Sequence, residues 1–128
     1  MGYLIVFLGA GVGGALRHGV NVTAARLLGT GFPWGTLAVN VTGSFAMGVL
    51  IAFAANREGV TPLMRLFLTT GVLGGYTTFS TFSLDAAALW ESHRSAAALA
   101  YGAASVAGAI AAIFLGLGLG RVLFPPPT

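Results

Sequence analysis

The sequence predicts an all-α integral membrane protein of four transmembrane helices, the third broken at its centre. Three observations carry this. Of 128 residues, 56% are hydrophobic and 7% charged, with a mean hydropathy of +0.89, outside the range of soluble globular domains. Turn-forming residues divide the chain into four apolar stretches, each as long as the ~20 residues that span a bilayer. The third stretch carries GVLGGYTTFSTFSLD, Gly71 to Asp85, where glycines and hydroxyls stand at a depth that lipid-facing sequence fills with leucine.

The first helix is expected over about residues 3–28, ending at GTGFP. Its opening resembles the apolar core of a signal peptide. It lacks a basic leader and an A-x-A site and runs on into three more apolar segments, so it reads as a retained helix. The second covers about 34–55 and stops at NREGVT. The third covers about 62–90, with Thr61 as N-cap and Pro62 at the first helical position. The fourth covers about 95–123 and ends before Pro125, Pro126 and Pro127, which cannot continue a helix. No connection is long enough for a domain, so residues 1–128 form one transmembrane unit. Tyr3, Trp34 and Trp90 fall near helix ends, where amphipathic rings favour the membrane interface.

Six arginines stand against three acids, but they are scattered and form no phosphate-tracking stripe, which argues against nucleic acid as a partner. The absence of cysteine excludes disulfides and thiolate chemistry. With four spans both termini share a face, which also holds Arg57, Arg65 and Arg121; the opposite face holds Arg26 and Arg94, with Arg17 deeper. This bias is too small to fix an orientation. Such a chain could insert both ways, and two copies could pair antiparallel. Gly9/Gly13, Gly71/Gly75 and the series Gly108, Ala112, Gly116, Gly120 put small residues at four-residue spacing. Such rows let helix backbones approach, within one chain or between chains, and in so short a chain they point to a homo-oligomer.

The acids are Glu58, Asp85 and Glu91. No carboxylate lies mid-membrane in the first two helices, where a proton-coupled exporter would need one. No nucleophile has a base at hand, and no carboxylate pair or metal cluster is visible, which argues against an enzyme.

As a straight helix the third segment would reach ~44 Å, against a hydrocarbon core of ~30 Å. Gly74 and Gly75, followed by Tyr76, Thr77 and Thr78, put weak helix formers at its centre and favour a break. Freed backbone groups at that depth persist only when buried in protein or lining a polar cavity, and freed carbonyls suit a hard cation such as sodium. A packing kink is the alternative. Phe79 and Phe82 lie three apart on one face beside Ser80, Thr81 and Ser83. Their rings serve as core or lipid contacts, or turn their positive edges to an anion.

In the second helix Thr36, Asn40 and Ser44 form a polar stripe. Hydroxyls can bond back to their own helix, but an unpaired Asn40 amide in lipid is costly, and its two N–H donors suit an anion. Tyr101 and Ser105 repeat the spacing in the fourth helix. Arg17 is a candidate for direct anion contact, for a structural role or for an electropositive vestibule, and it is close enough to a helix end to snorkel. His18 reads as a packed or interfacial histidine.

GGYTTFSTFS (Gly74 to Ser83), GTLAVNVTGSF (Gly35 to Phe45) and GGALRH (Gly13 to His18) together resemble the Fluc/CrcB family of microbial fluoride channels. The resemblance implies an antiparallel, dual-topology homodimer in the bacterial inner membrane, passively exporting fluoride along two pathways at the dimer interface and so reducing its toxicity in the cytoplasm. It implies that Gly74 and Thr77 offer backbone carbonyls to a central structural Na+. Phe79 and Phe82 match the family's paired phenylalanines and Asn40 its pore asparagine, while Ser80 and Thr81 resemble part of a polar track running to Tyr101 and Ser105. Two positions depart from the pattern. His18 stands where a large aromatic is usual, and Ala109 stands one turn beyond Ser105 where another hydroxyl is expected. The rival readings are a small multidrug-type exporter of dual topology, disfavoured by the missing deep carboxylate, and a packing subunit of a membrane complex.

Overall fold

The computed structural model describes residues 1–55 and 57–126, so Asn56 in the second loop and Pro127 in the proline run lie outside the described residues. Helix α1 spans Gly2–Leu28 and α2 spans Trp34–Ala55. The third segment is divided. Its first part, α3 (residues 62–76), runs as an α-helical turn Pro62–Leu66, a π-helical stretch Phe67–Leu73 and a final turn Gly74–Tyr76. After a gap at Thr77 and Thr78, α4 runs Phe79–Glu91, and α5 covers Ser95–Leu123. The described residues are helix and connecting turns throughout. Helices α1, α2 and α5 are each long and apolar enough to cross a membrane.

Local chemistry sets the ends. Gly29 closes α1 with φ 78°, its N–H bonding the Ala25 carbonyl; a left-handed position of this kind suits glycine. Thr61 caps α3, its hydroxyl accepting from the Met64 N–H at 3.2 Å. His93, at φ 58°, turns the chain between α4 and α5, and the Arg94 N–H returns to the Leu89 carbonyl.

Backbones touch where the glycine rows lie. A Cβ on Gly9 would stand 2.8 Å from the Gly71 Cα, one on Gly75 2.8 Å from the Ala10 Cα, and one on Gly13 inside the Val72 carbonyl. The rows of α1 and α3 thus interlock within one chain. Gly48 and Gly116 do the same for α2 and α5, seated on the Ile113 and Phe45 carbonyls. The rows therefore spend their close approach on intrachain packing, which removes them as a reason for an oligomer. Large apolar side chains such as Phe7, Leu16, Leu84, Phe114 and Val122 point outward, as a bilayer requires, since lipid is as apolar as leucine. The buried side chains Leu89, Ala98 and Tyr101, packed with Phe32 and Phe82, form a small core where α4 meets α5.

Candidate functional site

The gap in the third segment is held from α2. Asn40 Nδ2 donates to the Thr78 carbonyl at 2.9 Å, and the Thr78 N–H donates to Asn40 Oδ1 at 2.8 Å. One amide side chain thus satisfies both backbone groups of the residue that no helix satisfies. Thr77 and Thr78 are extended, at φ −83°, ψ 159° and φ −155°, ψ 124°. The Thr78 hydroxyl then caps α4, accepting from the Thr81 N–H at 3.2 Å. Gly43 lets α2 approach so closely, because a Cβ there would run into the Thr77 methyl.

These bonds also determine which carbonyls are free. In a continuous helix the Gly74 carbonyl would receive the Thr78 N–H and the Thr77 carbonyl the Thr81 N–H. The first donor is turned to Asn40 and the second to the Thr78 hydroxyl. Gly74 and Thr77 are therefore among the carbonyls left without their helical donors, together with Gly75 and Tyr76, whose donors Phe79 and Ser80 lie in the first turn of α4; uncharged oxygens of this kind suit a hard monovalent cation.

Beside the gap lies an open groove of about 280 Å³ that brings together Asn40, Ser44, Thr77, Phe79, Phe82 and Ser105. The Phe79 and Phe82 rings stand 5.5 Å apart and tilted by 55°. Phe79 is 77% exposed, and other rings of this chain such as Phe7 and Phe114 face outward in the same way. Several hydroxyls bond back to the carbonyl four residues earlier, as Thr23, Thr42, Thr69, Thr77 and Ser83 do. Ser105 does not. Its Oγ is buried without a partner, on the groove wall.

The other hydroxyls lie elsewhere. Thr81 faces a second cavity of about 500 Å³, with Asn21, Thr36, Asp85 and Arg94 among its lining residues. Tyr101 is fully buried between the two: its ring lies 5.2 Å from that of Phe82, and its hydroxyl donates to Asp85 Oδ2 at 3.0 Å. Ser80 is exposed and lines neither cavity, and Arg17, half-buried on α1, also lies outside both. The expected single track from Ser80 and Thr81 to Tyr101 and Ser105 is thus divided by the Phe82–Tyr101 wall. Sequence reasoning missed Thr78, Asp85 and Arg94. Only Thr78 carried a signal, a hydroxyl three residues before Thr81 at a helix start.

A sequence profile described as "CrcB-like protein, Camphor Resistance (CrcB)" matches residues 4–117. The chain belongs to the CrcB family. It is 56% identical over 118 residues to a "Fluoride-specific ion channel FluC" of Chelativorans sp. (strain BNC1), covering 92% of this chain and 94% of that one. Bearers of the same name in Mesorhizobium japonicum, 53% identical over 94% of this chain and 96% of theirs, and Methylobacterium nodulans, 58% identical over 86% and 88%, are similar to it. The chain is a multi-pass protein of the bacterial cell membrane and not an enzyme.

Proposed function

We propose that this CrcB-family chain is a fluoride-selective channel that lets fluoride leave the cell passively. The observation that carries the reading is the groove beside the helix gap, where ring edges, a spare amide hydrogen and an unpartnered hydroxyl converge in a chain whose relatives bear the name fluoride channel. Asn40 spends one amide hydrogen on Thr78 and keeps the other for an anion. The positive edges of Phe79 and Phe82 and the Ser105 hydroxyl supply further weak donors. Weak, fixed donors let a small anion shed part of its hydration without holding it, which conduction requires. The inside-negative membrane potential drives fluoride outward.

In this proposal the third segment spans the membrane as α3 and α4 together, giving four spans, and two chains insert in opposite orientations to form an antiparallel homodimer. One exposed polar group supports a covered face, the Thr42–Tyr76 hydroxyl pair at 2.9 Å, since lipid offers it no partner. Gly74 and Thr77 of each chain hold a structural Na+ by their carbonyls. A bound cation would neutralise the freed oxygens and lend positive potential to the pathway.

Reconstitution tests the reading. Liposomes loaded with fluoride or chloride are opened to charge compensation with a potassium ionophore, and efflux is followed by an ion-selective electrode. Rapid fluoride release, negligible chloride release and loss of flux in Phe82→Ile are expected. Dimeric protein that releases no fluoride overturns it and returns the exporter and packing-subunit readings.

A further inference from the structure

The cavity that Thr81 faces opens where the α1–α2 connection meets the α4–α5 turn, and two of its lining residues carry charge, Asp85 and Arg94. Thr81 and Asp85 are four apart on α4 and so share a helix face. An anion approaching Thr81 therefore passes a carboxylate, whose field repels it. Arg94 stands across the same cavity. It is not a loose surface arginine, because its Nη1 donates to the Gly31 carbonyl on the facing connection. Its backbone is fixed as well: the Arg94 N–H bonds the Leu89 carbonyl past the left-handed His93. The turn and the tether together hold a permanent cation at the mouth of a cavity whose wall is anionic.

We propose that Arg94 is an electrostatic positioning residue for the channel: it offsets the field of Asp85 and concentrates fluoride in the Thr81 cavity, which serves as the antechamber of the groove, the anion crossing from one to the other past the Phe82 ring that separates them. The inference rests on the fluoride-channel reading. Clefts lined by charge and walled by low dielectric concentrate the ion of opposite sign, and the effect falls steeply with ionic strength. With ~10 Å between the guanidinium and an ion in the water-filled mouth, Coulomb's law gives about a two-fold change in local anion concentration. The Debye length of ~30 Å at 0.01 M leaves that effect intact, and ~3 Å at 1 M removes it.

The test is single-channel current of the full-length protein in planar bilayers, at low fixed fluoride, with ionic strength raised by an impermeant salt. Arg94→Gln keeps an N–H donor for the Gly31 carbonyl and loses the charge. It is expected to carry about half the wild-type current at ~0.01 M and to match wild type at ~1 M. Arg94→Lys should restore the current at low salt, and Arg94→Glu should lower it about four-fold there. Equal currents for wild type and Arg94→Gln at every ionic strength overturn the inference. So does a loss of the same factor at every ionic strength without rescue by lysine, which marks a structural tether. Both results leave the channel reading standing. A wild-type protein that is dimeric and passes no fluoride current overturns both.

Discussion

Replacing Asn40 by leucine tests whether the gap in the third segment depends on one side chain. Leucine is close to asparagine in size and suits a helix in lipid, so the substitution removes the polar groups and little else. It strips Thr78 of the donor at 2.9 Å and the acceptor at 2.8 Å. Each half-buried backbone group left without a partner costs ~1–3 kcal/mol, so the two together cost about 2–6 kcal/mol. At roughly 3–5 °C per kcal/mol for a chain of this size, the thermal midpoint in detergent should fall by more than about 6 °C. Asn40→Asp keeps the acceptor, but as a carboxylate it loses the donor and sets a charge against the Thr78 carbonyl, so its midpoint should fall at least as far. Flux assays complete the test, since both variants are expected to lose fluoride efflux. An Asn40→Leu protein with the wild-type midpoint refutes the latch, because Thr78 would then find its partners without α2.

Ser105→Ala removes a buried hydroxyl that has no partner. Its melting midpoint should stay level or rise, by up to ~1 kcal/mol of stability, while fluoride efflux falls; loss of stability would mean that the hydroxyl serves packing. Phe79→Ile takes a ring from the groove wall and should reduce efflux in the liposome assay. Gly116→Val drives a side chain into the Phe45 carbonyl and should cost ~3 kcal/mol or more, seen as loss of monodisperse protein on gel filtration. His93→Gly relieves a left-handed backbone and should stabilise by ~1 kcal/mol in the same melting assay.

Composition and punctuation made the helical membrane class legible, because apolar length and helix-stop residues act locally. Thr61 and Pro62 are an example: the cap bond to Met64 needs no neighbour from elsewhere in the chain. The gap was less legible. The weak stretch Gly74 to Thr78 does open, but only at its end: Gly74 and Gly75 stay helical, Gly75 held against the Ala10 backbone, and the gap falls at Thr77 and Thr78. Packing there overrides propensity. The π-helical turns of Phe67–Leu73 have no composition of their own and lie where Gly71 meets Gly9. Which hydroxyls share a cavity depends on how α4 and α5 are rotated against each other. Spacing therefore grouped Thr81 with Ser105, although Tyr101 and Phe82 stand between them. The glycine rows show the same limit from the other side: spacing identified the contact surfaces but not the partner.

The bonds between Asn40 and Thr78 have a consequence for the order of assembly. The partners are 38 residues apart, so the interruption is not held by its own segment alone. Residues 62–91 supply the Thr78 cap of α4 themselves, while the partner for the Thr78 N–H and carbonyl comes from the second helix. Synthesis runs from the N-terminus, so Asn40 is already in the nascent protein when Thr78 emerges. The third segment is thus shaped on arrival by a template laid down before it, and a truncated chain lacking α2 should insert this stretch without its opening.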